Sequence, residues 1–196
     1  MYCTDWKERS ITVHKEDDIL KILFVGSLSH RKNVQLLFNA VNLLNEEEQE
    51  KIEIGIIGDG EEKSNLLQLS RDRKYRTSFY GIIPMNKVSD IMQEYDVLCL
   101  PSLHDGWGAV VNEELTLGLF ALCSVSCGCR YLIKKSSYTC GDVFENNNLI
   151  DLKQKIRNCL STRNAIKSNI NNRIEWSKNN IKSDIVAKYL IDNLKK

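Results

Sequence analysis

Short, mostly apolar runs, some of which end in a turn, alternate with amphipathic segments along most of this chain. The runs lie at residues 21–26, 51–60, 77–84, 96–102 and 119–128, with a shorter one at 138–144. Segments with apolar residues at helical spacing follow at 34–44, 61–70, 85–95, from about 109 and from about 149. Strands that alternate with helices form parallel sheets covered on both faces. The pattern predicts an α/β fold: a Rossmann-like, doubly wound parallel sheet of about six strands flanked by helices.

The same pattern predicts how the chain is organised. Residues 1–20 form a lead-in or linker, residues 21–160 the Rossmann-like domain, and residues 161–196 C-terminal helices that pack on it. A length of 196 residues, 42% of them apolar, suits the core of one globular domain. The acidic segment "NEEEQE" is predicted to be the exposed far end of the helix at 34–44.

Charge is balanced overall but uneven along the chain. The formal net charge is +1, so bulk charge gives no argument for nucleic acid as a partner. Residues 152–196 carry eleven Lys or Arg against three Asp or Glu. These residues can form solvated helix faces, or they can contact an anionic membrane surface or an acidic partner. The apolar runs are too short to span a bilayer, so any membrane contact is expected to be peripheral.

The cysteines indicate the compartment. They are seven in number and scattered, and the N-terminal segment has no apolar core of a signal peptide. Both features predict the reducing cytoplasm, with the inner face of the membrane as an alternative. Cys123, Cys127 and Cys129 lie close together, but no second CxxC or His pair completes a tetrahedral set. We therefore expect buried thiols near a strand end and no metal site.

Every turn expected at the carboxyl edge of the sheet contains glycine. The turns are "GSLSHRKN" (26–33), "GDG" (58–60), "GIIP" (81–84), "HDGWG" (104–108) and "SCG" (126–128). Glycine lets the backbone approach a ligand closely, and the helix N-termini behind the turns supply free amides and partial positive charge. A phosphate-bearing ligand fits this edge. The GxGxxG and GxxxxGK[ST] patterns are absent, so ordinary dinucleotide and P-loop sites are disfavoured.

Two acids bracket one of these turns. Asp105 stands before the helix expected from about residue 109, and Glu113 lies just over one turn inside it. A helix-capping role explains one acid near a helix start. It does not explain a flanking pair with Gly106, Trp107 and Gly108 between them.

The segment "DGWGAVVNEE" resembles the E-x7-E signature of the retaining glycosyltransferases of family 4, which have the GT-B fold. Three further segments are similar to the same family in order and spacing. They are "FVGSLSHRKNVQLLFNAVNLL", "IGIIGDGEEKSNLL" and "FYGIIPMNKVSDIMQEYDVLCLPS". The resemblance covers residues 21–160 and identifies them as the C-terminal, donor-binding half of such an enzyme, a nucleotide-sugar-binding domain.

The resemblance implies roles for individual residues. Glu113 would hydrogen-bond the ribose hydroxyls of a nucleoside diphosphate sugar, and Asp105, the catalytic residue, would contact the transferred sugar near its reacting carbon. Lys32 and the amides of the Gly106–Gly108 turn would hold the diphosphate. The expected donor-binding residues are Gly26, Ser27, Arg31, Lys32, Gly58, Gly81, Ile82, Ile83, Asp105, Gly106, Trp107, Gly108 and Glu113.

Three residues in and around this site carry further expectations. Glu114 is expected to face away from the site as a surface or structural acid. Trp107 is expected to pack under its turn, although stacking on a sugar or base is an alternative. His104 is expected to be solvated.

The chain departs from the family pattern at two positions. The first acid is usually Glu, whereas here it is Asp105, which is shorter by one methylene group. The arginine that binds the diphosphate in the family falls on Ser27, and Arg31 or Lys32 would have to compensate. No DxD motif is present, and the family works without a metal ion, so no metal or other cofactor is expected.

The expected function is transfer of a hexosyl unit from a nucleoside diphosphate sugar, with retention, to a glycan or lipid-linked acceptor. This expectation includes an acceptor-binding domain outside the chain or on a separate partner chain, and a role in polysaccharide biosynthesis. The main alternative is a non-catalytic nucleotide-sugar-binding or assembly subunit, or a truncated fragment that is inactive alone. A sugar-nucleotide 2-epimerase has a similar fold but a poorer match in sequence.

Overall fold

The chain forms one sheet in a computed structural model, which describes residues 18–106 and 110–181. The described strands are β1 Leu20–Val25, β2 Ile52–Ile57, β3 Arg76–Gly81, β4 Val97–Leu100, β5 Phe120–Ser124 and β6 Gly141–Phe144. Each coincides with a predicted apolar run. Strands β1, β2, β4 and β5 are mostly buried, because parallel strands covered on both faces can be apolar on both, whereas β3, at one edge of the sheet, has no buried residue.

The strand order is β3-β2-β1-β4-β5-β6, and all neighbouring strands are parallel. The predicted Rossmann-like, doubly wound sheet is therefore confirmed. The winding reverses between β1 and β4, which are neighbours in the sheet although β2 and β3 separate them in sequence. In sheets of this order, ligands bind at that reversal, outside the carboxyl ends of the strands.

Two groups of helices cover the sheet. The described helices are α1 Val34–Asn42, α2 Glu46–Glu50, α3 Lys63–Leu69, α4 Met85–Met92, α5 Val110–Leu117, α6 Arg130–Lys135, α7 Leu149–Ser161, α8 Arg163–Ser168 and α9 Ile170–Asn180. Helix α1 contacts α3 and α7, whereas α5 contacts α4 and α9. Right-handed crossovers place these groups on opposite faces. In the described ranges, no helix is long and apolar enough to cross a membrane.

Two short helices differ from the prediction. The segment expected as the end of the first helix forms α2 instead, because Asn45 starts a new helix there. The Asn45 side chain accepts from the Glu48 amide, and the Glu48 carboxylate accepts from the Asn45 amide. This reciprocal capping supplies partners to two otherwise free amides. Helix α6 lies between β5 and β6, where the sequence contains only two aliphatic residues in six and no helix was predicted.

Helix α5 places two adjacent acids in opposite environments. Glu113 is half-buried, whereas Glu114 is completely buried, and neither carboxylate oxygen of Glu114 has a hydrogen-bond partner. Of the two expectations for Glu114, a surface acid or a structural acid, the surface alternative is wrong, because the face of α5 that carries it packs into the core. Burial raises the pKa of Glu114 well above its usual range, and the charge of Arg173 opposes this shift.

The C-terminal end of α5 is held by α9. The Arg173 side chain is buried, and its Nε donates to the Gly118 carbonyl at 2.7 Å. Its Nη2 donates to the Ile166 carbonyl, which ties α8 to the same point. Gly118 has a φ of 77°, and a Cβ there would lie 2.8 Å from the Ile170 carbonyl oxygen. The contact between α5 and α9 therefore requires glycine at this position.

Gly118→Ala is expected to destabilise the fold more than Gly81→Ala. Both residues have a left-handed backbone, with φ values of 77° and 68°, but a Cβ on Gly81 meets nothing within 4 Å. The alanine at 81 should cost about 1 to 2 kcal/mol of conformational strain. The alanine at 118 should cost a further 1 to 3 kcal/mol, roughly, from overpacking against α9. Urea unfolding of both variants measures the difference, and equal losses would contradict the packing described here.

Glu114→Gln should remove a component of the pH dependence of stability. In the unfolded chain a Glu loses its proton near a pKa of about 4.3, whereas the folded protein retains the proton on Glu114. The stability that this group contributes is therefore lost as the pH rises from about 4 towards the raised folded pKa. As the pH rises above about 4, the unfolding free energy of the variant should rise relative to wild type, by at most about 1.4 kcal/mol per pH unit, until the raised folded pKa is reached.

The matched change Glu50→Gln, at an exposed position of α2, provides the control and should leave the pH dependence of wild type intact. Urea titrations at several pH values measure the difference in unfolding free energy between Glu114→Gln and wild type. If this difference does not change with pH, Glu114 is ionised in the folded protein.

Candidate functional site

The turns at the carboxyl edge of the sheet are joined to one another by backbone hydrogen bonds. The Gly26 amide donates to the Ile57 carbonyl at 2.9 Å, and the Gly58 amide donates to the Gly81 carbonyl at 2.8 Å. These bonds link the turns that follow β1, β2 and β3. The three predicted glycine turns on this side therefore form one continuous rim.

Gly58 occupies a position that no other residue can fill. Its φ is 136°, and a Cβ there would lie 1.9 Å from the Gly26 carbonyl oxygen. The turns after β1 and β2 are in direct backbone contact for this reason. At the outer edge of the rim, Ile82 is 84% exposed and Ile83 packs against the core.

The turn after β1 carries two cations towards β4. A single turn of 3-10 helix covers His30–Lys32, and Asn33 ends it in the left-handed conformation, with a φ of 51°. Asparagine tolerates this conformation better than most residues. The Lys32 Nζ then lies 2.5 Å from Oδ2 of Asp105, and the two side chains are only 16% and 12% exposed. This ion pair crosses the point where the winding of the sheet reverses.

Arg31 is bonded to the same loop as Lys32. Its Nη1 donates to the His104 carbonyl at 3.0 Å, and its own carbonyl accepts from the Leu103 amide at 2.9 Å. Ser27, at the family's arginine position, is exposed, and its Oγ lies 3.5 Å from Oγ of Ser29. The positive charges that the turn after β1 places beside the β4 loop are therefore those of Arg31 and Lys32, whereas Lys63, after the next turn, pairs with Asp59 at 2.6 Å.

The backbone of Asp105 is fixed from the other side by the turn after β5. The Asp105 amide donates to the Ser126 carbonyl at 3.2 Å, and its carbonyl accepts from the Gly128 amide at 3.0 Å. The strand register places Asp105 opposite Cys127 in an isolated parallel bridge. The loop that carries Asp105 is thus held by two neighbouring turns.

Asn146 supports this loop and was missed in the sequence analysis. Its Nδ2 donates to the Leu103 carbonyl at 3.3 Å, and its Oδ1 accepts from Oγ of Ser124, also at 3.3 Å. The run of three asparagines that follows β6 signals a turn, but nothing in the local sequence connects that turn to β4. The contact depends on β6 lying beyond β5 in the sheet.

Glu113 lies in the first turn of α5, whose N-terminus faces the same edge. Partial burial raises the pKa of its carboxyl group. Gly106 is exposed, with nothing within 4 Å of a Cβ built on it. Trp107 and Gly108, which were also predicted as site residues, lie outside the described residues. His104 is exposed, as expected.

The cysteine group behind the site consists of buried free thiols. Cys123, Cys127 and Cys129 are each no more than 1% exposed. No set of three or more His, Cys, Asp or Glu side chains within residues 18–106 and 110–181 is placed to hold a metal ion.

The arrangement suits an anionic ligand that also carries hydroxyl groups. Lys32 and Arg31 supply positive charge at the reversal of the sheet, and glycine turns leave the backbone accessible. Carboxylates of Asp105 and Glu113 accept hydrogen bonds from hydroxyl donors. Such a combination is complementary to a phosphate bonded to a polyol.

Comparison with known proteins gives relatives for nearly the whole chain. An uncharacterised glycosyltransferase of Methanocaldococcus jannaschii is 26% identical over 97% of this chain and 47% of its own length. The GalNAc-alpha-(1->4)-GalNAc-alpha-(1->3)-diNAcBac-PP-undecaprenol alpha-1,4-N-acetyl-D-galactosaminyltransferase of Campylobacter jejuni is 28% identical over 77% of this chain and 41% of its own length. The chain thus spans less than half the length of these two curated relatives.

A solved structure shows the same fold. HepE of Anabaena, crystallised in complex with UDP, superposes with a TM-score of 0.75 at 15% sequence identity. The superposition covers 91% of this chain and 49% of HepE. The sheet described above is therefore the Rossmann-like half of a GT-B glycosyltransferase fold. The sequence model of the family described as glycosyl transferases group 1 matches residues 5–182, and the chain belongs to that family.

Proposed function

We propose that this chain is the donor-binding half of a retaining glycosyltransferase that transfers a hexosyl unit from a nucleoside diphosphate sugar to a glycan or lipid-linked acceptor. The observation that carries the proposal is the Lys32–Asp105 pair at the reversal of the sheet, in a chain of this family. A cation for the phosphates and a carboxylate for the sugar lie in contact there. The crystallised HepE complex with UDP supports a nucleotide ligand.

The nucleoside is proposed to lie over the turns after β2 and β3. Gly58, Gly81 and Ile83 would border the base, because their turns form the rim on that side of the reversal. The ribose hydroxyls would donate to Glu113. Hydrogen bonds to a charged acceptor contribute about 1.5 to 3 kcal/mol each, so this contact would be a main source of affinity.

The diphosphate is proposed to lie between Lys32, Arg31 and the start of α5. Ser27 cannot supply the charge of the arginine that the family has at this position. Arg31 lies on the same rim, with its guanidinium bonded only to a carbonyl in the contacts described, and we propose that it compensates. Protein cations would then neutralise the phosphates without a metal ion.

In the proposed reaction, the bond between the anomeric carbon and the diphosphate oxygen breaks, and the diphosphate leaves with the electron pair. A bond from the acceptor hydroxyl oxygen forms to the same carbon on the same face. The hydroxyl proton ends on the departing diphosphate. Lys32 and Arg31 would stabilise the negative charge where it develops, and Asp105 would contact the sugar beside the reacting carbon.

The acceptor is proposed to bind to a second domain or partner chain. The curated relatives are about twice as long as this chain or longer, and the Campylobacter jejuni relative is named for an undecaprenol-linked acceptor. A membrane-associated, lipid-linked glycan would be the acceptor class if this chain acts in the same way. Transfer would then require both halves, whereas donor binding would require only this one.

A non-catalytic nucleotide-sugar-binding subunit is the second candidate. The observation that favours it is Ser27, which removes one positive charge from the place where the leaving diphosphate needs it. Transfer that appears once an acceptor-binding partner chain is supplied would favour the enzyme. Binding without transfer in the presence of such partners would favour the binding subunit.

Glu113→Ala is expected to weaken binding of the preferred nucleotide sugar by about 100-fold or more, because two charge-assisted hydrogen bonds to ribose are lost. Calorimetric titration with UDP, GDP and ADP sugars measures the affinity and identifies the base. Glu50→Ala, at an exposed acid on α2, is the matched control and should bind as wild type does. A wild-type chain that binds none of these ligands, or a Glu113→Ala variant that binds equally well, would show that the site assignment is wrong.

Asp105→Asn is expected to tighten binding of the sugar-free nucleoside diphosphate by about 5-fold, since Lys32 is then released to the phosphates and a repelling charge is removed. The same variant should lose most of the extra affinity that the sugar confers. Lys32→Ala should weaken the binding of both the nucleotide sugar and the sugar-free nucleoside diphosphate. Asp142→Asn, which breaks a Lys–Asp pair of 2.8 Å on β6, is the matched control. Calorimetry with and without the sugar moiety separates the two effects, and unchanged affinities for Asp105→Asn would contradict the proposed roles.

A further inference from the structure

Helix α6 and the turn after it carry an exposed row of two tyrosines and two lysines. Tyr131, Lys134, Lys135 and Tyr138 are spaced as i, i+3, i+4 and i+7, and all four are exposed. The exposed fractions of the two tyrosines are 61% and 49%. We call these four residues the α6 surface.

The row is held in a fixed orientation by the core and by the turn. Leu132 and Ile133, on the opposite side of α6, are buried. The helix ends in a turn in which Ser137 and Tyr138 have left-handed φ values of 52° and 63°. Two consecutive left-handed residues that are not glycine are strained, and the Tyr138 amide is held by the Ile133 carbonyl at 3.1 Å. The tertiary structure therefore forces Tyr138 to project from the surface.

The charge of this surface is uncompensated. The sequence from residue 115 to residue 141 contains three cations and no acid. Arg130 is bound to neighbouring residues. Its Nη1 donates to the Val125 carbonyl, and its guanidinium lies 5.1 Å from the centre of the Tyr131 ring. Lys134 and Lys135 form no ion pair with any residue in the described ranges.

The basic residues of the C-terminal third behave differently. The sequence analysis offered residues 152–196 as a possible contact with an anionic surface. Most of the described cations in this range instead form ion pairs or hydrogen bonds within the protein. Lys155 pairs with Asp142, and Arg157 pairs with Glu48. Arg163 pairs with Asp18, and Lys167 pairs with Asp96. Arg173 donates to buried backbone carbonyls. Lys134 and Lys135, by contrast, are accessible cations. A second exposed cationic cluster, Arg71, Arg73, Lys74 and Arg76, lies before and at the start of β3, and α6 differs from it in carrying two exposed tyrosines beside its lysines.

We propose that the α6 surface binds the surface of an anionic lipid bilayer. Lysines near such a surface each add to the attraction, and tyrosine rings favour the boundary between headgroups and acyl chains. Two accessible cations and two exposed tyrosines on one short segment suit a negatively charged boundary between headgroups and acyl chains. This inference goes beyond the proposed function, because it requires neither donor binding nor transfer.

The α6 surface lies away from the candidate site. Helix α6 begins two residues after Gly128, at the carboxyl edge of the sheet, and leads into β6, which is parallel to β5. The helix therefore runs from the carboxyl edge towards the amino edge, and Lys134, Lys135 and Tyr138 lie at and beyond its far end. The proposed contact is thus separate from the donor site.

Vesicle sedimentation of the full 196-residue chain tests the proposal. Wild type should bind vesicles of phosphatidylcholine that contain phosphatidylglycerol and should not bind phosphatidylcholine alone. The double variant Lys134→Ala/Lys135→Ala should lower the partition coefficient by about 30-fold. The matched double variant Arg71→Ala/Lys87→Ala also removes two exposed cations, from the side of the sheet that carries β3, and should partition as wild type does.

Three results would overturn the proposal: no binding of wild type, equal binding to neutral and anionic vesicles, or equal partition of the lysine variant and wild type. Release of the protein by glycerol phosphate at matched ionic strength would also overturn it, because the surface would then bind a headgroup and not a bilayer. Tyr131→Ser/Tyr138→Ser provides an independent arm. It should lower the partition by about 5-fold in high salt, where the lysines are screened.

Discussion

The ion pair between Lys32 and Asp105 joins the two halves of the sheet where its winding reverses. Strands β1 to β3 lie on one side of this point and strands β4 to β6 on the other, so the helices that follow β1 and β4 diverge and leave a crevice. The pair spans the crevice at 2.5 Å, and the Leu103–Arg31 backbone bond lies beside it. These two contacts join the loops that carry site residues on either side of the crevice, above the pairing of β1 with β4.

The same pair links the fold to the chemistry proposed for it. Lys32 and Asp105 form an ion pair with each other in the absence of ligand. When the proposed ligand binds, the lysine can contact a phosphate and the carboxylate can contact a sugar. The short Asp105 side chain suits this arrangement, since it reaches Lys32 while its backbone is held by Ser126 and Gly128. A longer acid at this position would alter either the pairing or the place of the carboxylate.

Helix α5 connects the C-terminal helices to the site. Its first turn carries Glu113 at the crevice, and its last turn is fixed by Arg173 through the Gly118 carbonyl. Between them Glu114 is buried without a hydrogen-bond partner, which lowers the stability of the fold wherever the pH favours ionisation. We have no physical account of why an acid occupies this position. The helices after residue 161 nevertheless position the site, although none of their described side chains lies in it.

The sequence predicted the strands and most of the helices, because continuous apolar runs and helical periodicity are local signals. Strand bounds differ from the predicted runs by a few residues, since the runs included turns such as residues 58–60. Helices α2 and α6 were not predicted, because each is too short to produce a periodic pattern of apolar residues. The first depends on a capping exchange between Asn45 and Glu48, and the second has only two buried apolar residues, so neither produces a periodic pattern.

The sequence by itself determined the fold class, the glycine turns, the resemblance to the family and the candidate site residues, because residue type and spacing carry all of these. Only the tertiary structure decided which residues meet. Lys32 and Asp105 are 73 residues apart and pair because β4 inserts beside β1. The burial of Glu114, the internal use of the C-terminal cations and the exposure of the α6 surface follow in the same way. Each depends on which elements become neighbours, and that is a property of strand order and packing, not of local periodicity.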